Sequence, residues 1–117
     1  MFKPELVSIL SDLFKITYCR ERKDVDPDGG EILYGHIEDY KGEIRVFDSG
    51  REGHRTRIML HEVFHSICDN LGIKMKHGDL DRFAVAWADT LLRNGWLANT
   101  HSALPGESNG EEKTASP

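Results

Sequence analysis

Only two cysteines, Cys19 and Cys68, occur in the 117 residues. That is too few for a disulfide framework and fits a reducing, cytoplasmic setting. No segment approaches the roughly 20 consecutive apolar residues of a membrane span. Met1-Phe2-Lys3-Pro4-Glu5 lacks the long apolar core of a secretory leader, so no membrane partner is expected. Positive charge is also short: 15 Lys and Arg against 20 Asp and Glu give a net charge of −5. Nucleic-acid binding relies on neutralising phosphates, and this balance argues against it. No internal repeat is evident. With 38% apolar and 30% charged residues, the chain suits one soluble domain able to bury a core, expected over residues 1–98. Residues 99–117, rich in Ser, Gly, Pro, Glu and Lys, read as a disordered polar tail.

What the chain does have is His61-Glu62-Val63-Phe64-His65, an H-E-x-x-H run. On a helix, residues four apart lie one above the other, so both imidazoles can grip one zinc ion. The intervening Glu62 can then act as general base on a water that the metal activates, as in metal-dependent peptide hydrolysis. Shuffling a chain with this His and Glu content yields roughly 0.02–0.03 such runs by chance, and the context lowers that further. Ile58 to Gly72 reads as an amphipathic helix with an apolar stripe of Leu60, Phe64, Ile67 and Leu71. Arg57, His61, His65 and Cys68 form the neighbouring stripe. Ser49-Gly50-Arg51-Glu52 fits a capping box at its start, with Thr56 as a later alternative. Gly72 suits the left-handed position past its end.

Elsewhere, Leu6, Ile9, Leu10, Leu13 and Phe14 carry helical spacing, which predicts an N-terminal helix over Pro4–Lys15. Ile16–Cys19 is a short β-prone run, and Glu21–Gly30 a charged loop. Ile32–Tyr40 and Glu43–Phe47 read as two strands of a hairpin turning at Lys41-Gly42. A second helix is expected from about Leu80 to Asn94, with Gly95 ending it. The fold class is therefore α+β: an N-terminal helix, a small antiparallel sheet, the H-E-x-x-H helix and a following helix.

A catalytic zinc usually has three protein ligands and one open position. Beyond His61 and His65, the candidates are Asp81, His77, Asp79 and Cys68. Asp81 is preferred, because a carboxylate on a mostly apolar stripe with Ala84, Ala88 and Leu92 needs a partner. His77, in the loop before the helix, is the alternative. Asp79 serves more simply as an N-cap, and Cys68 lies too far along the helix from His61.

Gly35-His36-Ile37-Glu38-Asp39-Tyr40, Glu43-Ile44-Arg45-Val46, the helix around Leu60–Ile67 and Asp81-Arg82-Phe83-Ala84 together resemble the ImmA/IrrE-type metallopeptidases, which are minimal zincin domains. The likeness spans roughly residues 32–94 and is nearest to small stand-alone versions from phage and prophage genomes. It implies zinc held by His61, His65 and an acidic third ligand, here Asp81 where the family usually has Glu, with Glu62 as base. It also implies a protein or peptide substrate, a transcriptional regulator in longer members that carry a DNA-binding domain. The metzincin extension is absent, since Cys68 and Leu71 stand where Gly and His are required.

The function expected is a zinc-dependent peptidase. Tyr34, Tyr40, His77 and Arg82 are candidates to stabilise the oxyanion. His54, with Arg51, Arg55 and Arg57, reads as a solvated basic face of the helix. The alternative is a non-catalytic zinc-stabilised protein-interaction domain; a third reading is a binding module without metal.

Overall fold

The computed structural model describes residues 1–99. Four strands come first: β1 (Leu6–Ile9), β2 (Asp12–Cys19), β3 (Gly35–Glu38) and β4 (Glu43–Phe47), with a 3-10 turn at Arg22–Asp24 between β2 and β3. Two helices follow, α1 (Glu52–Leu71) and α2 (His77–Arg93). The architecture is α+β, with a four-stranded sheet in the order β1-β2-β4-β3. Among the described residues, no helix is long and apolar enough to cross a membrane. The expected polar tail lies outside the described residues except for Asn99, whose Nδ2 donates to Met1 O at 2.8 Å.

The N-terminal helix predicted over residues 4–15 is not formed; the segment is a β-hairpin. Leu6 pairs with Lys15 and Ile9 with Asp12, and the chain reverses through Leu10 and Ser11 at φ 51° and 75°. Two successive positive φ angles match the twist of antiparallel strands, a turn for which Asn-Gly is the usual signal. Leu and Ser give no such signal. The five apolar residues also fit helical spacing, yet the core takes only Ile9 and Phe14 from them and leaves Leu10 and Leu13 at the surface.

The sheet is mixed, not antiparallel throughout. β3 and β4 form the expected antiparallel hairpin, Gly35 opposite Val46 and Glu38 opposite Glu43. β2 runs parallel to β4, Ile16 beside Ile44 and Tyr18 beside Val46. The two-residue period sends Phe14, Ile16, Ile44 and Val46 to one face.

α1 covers that face with Ile58, Met59, Leu60 and Val63. Of the expected stripe, Leu60 is buried and Phe64 and Ile67 pack against the core, while Leu71 is exposed; the buried face is wider and also takes in Thr56, Met59, Val63 and Ser66. The wider face follows from α2, which packs against α1 through Ala84 and Ala88 and gives the helix a second covered side. Leu80 anchors α2 at 1% exposure, a burial of about 1.5–3 kcal/mol. The start of α1 uses no capping box. Arg51 is the N-cap without a side-chain bond, Ser49 Oγ lies 2.9 Å from His54 Nδ1, and the Glu52 carboxylate accepts from the Phe2 amide. A buried ion pair fixes this end instead: Arg55, 3% exposed, meets Asp48 Oδ1 at 3.2 Å. Gly72 closes the other end in the left-handed conformation at φ 69°.

Candidate metal centre

Four residues apart on α1, His61 and His65 meet edge-on with ring centroids 4.7 Å apart. A third imidazole joins them from α2. That helix starts at His77, nearly a turn before Leu80, so His77 is helical and not in a loop. Its ring centroid lies 4.8 Å from that of His61 and 5.3 Å from that of His65. One ligating atom from each of the three falls within 4.8 Å of the others. Tetrahedral zinc at about 2.0–2.1 Å from each nitrogen separates two ligand nitrogens by about 3.3 Å. His61 Nε2 and His77 Nε2, 3.2 Å apart, already have that spacing. The widest pair must draw in, and His77 is the exposed member of the three.

Asp81 stands one turn after His77 on the same face of α2. Its Oδ1 lies 3.2 Å from His61 Nδ1, the ring nitrogen that does not face His77. An ionised carboxylate only accepts, so Nδ1 carries the proton and Nε2 offers its lone pair to the cluster. The structure thus brings Asp81 to the outer nitrogen of a candidate ligand, and His77 to the cluster itself. The Asp81 side chain is 56% exposed, so the buried unpaired charge that argued for it as a ligand does not arise. Asp79 bonds Arg82, and Cys68 is outside the ligating group.

Burial holds the His61 imidazolium below its usual range, and the neighbouring His65 and His77 add to this. Burial and then His77 do the same to His65. Both rings therefore favour the neutral form, the one that binds a metal.

Glu62, between the two histidines, faces β3. Burial alone pushes its carboxyl up to about 7. Gly35 makes this seat possible: a Cβ there would come within 2.9 Å of Glu62 Oε2 and 2.8 Å of Ile58 Cγ2. The requirement is for space, since Gly35 is not among the residues at positive φ.

His61, Glu62, His77 and Asp81 open into one cleft of about 400 Å³, walled on the other side by Leu33, Tyr34 and Gly35 and extended by His54 and Arg57. Of the residues proposed for the oxyanion, Tyr34 and His77 line this cleft; Tyr40 is fully exposed and Arg82 is bound to Asp79. Arg22 lies over the Tyr34 ring, 3.7 Å from its centroid. The basic face expected around His54 divides. Arg55 is buried in its pair with Asp48, while His54 packs edge-on against Tyr34 and Phe47. Gly35, His54 and Arg57 went unassigned to the site in the sequence. The i, i+3, i+7 spacing of His54, Arg57 and His61 was a usable signal. Comparison with protein-family models, curated proteins and solved structures finds no match for this chain.

Proposed function

We propose that this chain is a zinc-dependent peptidase with a minimal zincin-like site, in which His61, His65 and His77 hold the ion, Glu62 moves the proton and Asp81 orients His61. The observation that carries this reading is the meeting of three imidazoles in one ligating group, beside a desolvated carboxyl that shares a cleft with two of them, His61 and His77. Three protein ligands is the number a catalytic zinc site uses, whereas a structural site closes its shell with four. Among the described residues the ligating group holds three, which favours the peptidase over a non-catalytic zinc-stapled interaction domain.

A bound zinc ion supplies Lewis acidity, making water acidic near neutral pH and polarising a carbonyl. Glu62 supplies the base. Burial makes its carboxylate more basic than an exposed glutamate, so it takes a proton from water readily and can return it to the leaving amine. Asp81 fixes the His61 tautomer. β3 is an edge strand of the sheet, and an extended peptide can lie along it by backbone hydrogen bonds. A regulatory protein is the substrate class that the family resemblance implies.

The test pairs elemental mass spectrometry with turnover of a quenched fluorescent peptide library. The wild-type chain should carry about one zinc and cleave. Glu62→Gln should keep the zinc and lose about 10²–10⁴-fold in turnover, the usual weight of a general base. Zinc-loaded wild-type protein that cleaves nothing would favour the interaction domain instead.

A further inference from the structure

Although the chain carries a net charge of −5, one end of the cleft is basic. Arg57 lies one helical turn before His61 on α1, is half-buried and lines the cleft. A second, more open depression of about 670 Å³ is lined by Ser49, Arg51, Gly53, His54 and Arg57. His54 and Arg57 belong to both, so the depression continues the cleft toward the start of α1. The nearby carboxylates are engaged elsewhere: Asp48 with Lys3 and Arg55, and Glu52 with the Phe2 amide. Arg51 and Arg57 form no ion pair among the described residues. At the other end stand Glu62 and Asp81, the latter held by His61.

We propose that Arg57, with Arg51 behind it, forms a subsite for an acidic side chain of the peptide substrate, within about two residues of the bond that is cut. The inference rests on the peptidase reading for the position of that bond. Four helical residues separate Arg57 from His61 by about 6 Å along the axis, and an extended peptide advances about 3.3 Å per residue. A guanidinium presents a planar fork of donors that matches a carboxylate, and it keeps its charge at any working pH. A half-buried Arg without a counter-charge has already lost part of its hydration, so an incoming carboxylate gains more there than at an open surface.

The experiment measures binding, so that it does not depend on turnover. Three pools of fluorescein-labelled decapeptides are titrated by fluorescence anisotropy into zinc-supplemented full-length protein carrying Glu62→Gln to prevent cleavage. One pool is enriched in Asp and Glu, one in Asn and Gln, and one in Lys and Arg. The acidic pool should bind at least about ten-fold more tightly than the amide pool, the effect of one charge-assisted hydrogen-bonded pair. Arg57→Gln should erase the difference, and Arg57→Glu should turn the preference toward the basic pool. Equal binding of the acidic and amide pools, no binding of either, or a preference that survives both Arg57 variants overturns the subsite. Zinc is measured in the same samples. One zinc per chain with no charge preference removes the subsite alone, whereas a chain that takes up no zinc removes the peptidase reading whatever the pools show.

Discussion

A single methyl group added at Gly35 should silence the site without emptying it. The new Cβ of Gly35→Ala would stand 2.8 Å from Ile58 Cγ2, 2.9 Å from Glu62 Oε2 and 3.1 Å from Glu62 Cγ. Relaxed carbon contacts lie at about 3.5–4.0 Å, so the methyl intrudes on both residues. Ile58 sits in the core at 7% exposure and has nowhere to go. Glu62 is the side chain that can swing away, at the loss of its position against β3. Overpacking of this kind costs about 1–3 kcal/mol, and each kcal/mol lowers Tm by about 4–8 °C in a domain of this size. A catalytic group displaced by about 1 Å loses about 10²-fold in turnover. The three atoms nearest the methyl belong to Ile58 and Glu62, not to a histidine, so zinc content should stay near one per chain. Thermal unfolding, elemental mass spectrometry and library turnover on the same preparation decide the matter. Wild-type turnover together with wild-type Tm would refute the argument that Glu62 depends on the bare backbone at residue 35.

Three further outcomes are expected. Lys3 first, then the Gly50 amide and Arg55, hold the Asp48 carboxyl down from 3.8 to about 2. This depressed group contributes about 2 kcal/mol, at 1.36 kcal/mol per pH unit, in full above about pH 4 and progressively less as pH falls toward 2. Urea unfolding from pH 7 to 2.5 should show that loss in the wild type. Asp48→Asn should lack it and be less stable at pH 7 by about 3–5 kcal/mol, because Arg55 is left buried and unpaired; a flat acid limb in the wild type contradicts this. Replacing Leu10-Ser11 by Asn-Gly should stabilise the fold by about 1–2 kcal/mol by relieving two positive φ angles, and a lowered Tm would count against the hairpin. Asp81→Asn should leave one zinc per chain but weaken its affinity about 10–100-fold, as loss of an orienting carboxylate does; complete loss of zinc would make Asp81 a direct ligand.

Legibility in the sequence followed how local each determinant is. Ile44 and Val46 alternate cleanly with polar neighbours, and β4 falls on residues 43–47 as read. The H-E-x-x-H run sits inside α1, where its spacing puts it. Residues 4–15 mislead because a turn through Leu10-Ser11 carries no Gly or Asn, leaving a helical period as the visible pattern. The parallel pairing of β2 with β4 joins residues 28 apart in the chain, such as Ile16 and Ile44, and has no local signature. The third imidazole is less legible, because the apolar spacing suggests a start for α2 at Leu80 and leaves His77 in a loop. Starting it at His77 places His77 and Asp81 four apart on one face, both turned toward His61. The seat of Glu62 against Gly35 is a tertiary contact that only the fold reveals.

The most direct test of the central claim is the zinc-to-protein ratio of the wild-type chain and of His77→Ala, purified side by side without chelator. The account predicts a ratio near one for the wild type and a ratio near zero for His77→Ala. A wild-type ratio that stays near zero after zinc is added, or a His77→Ala protein that holds zinc as the wild type does, would contradict it.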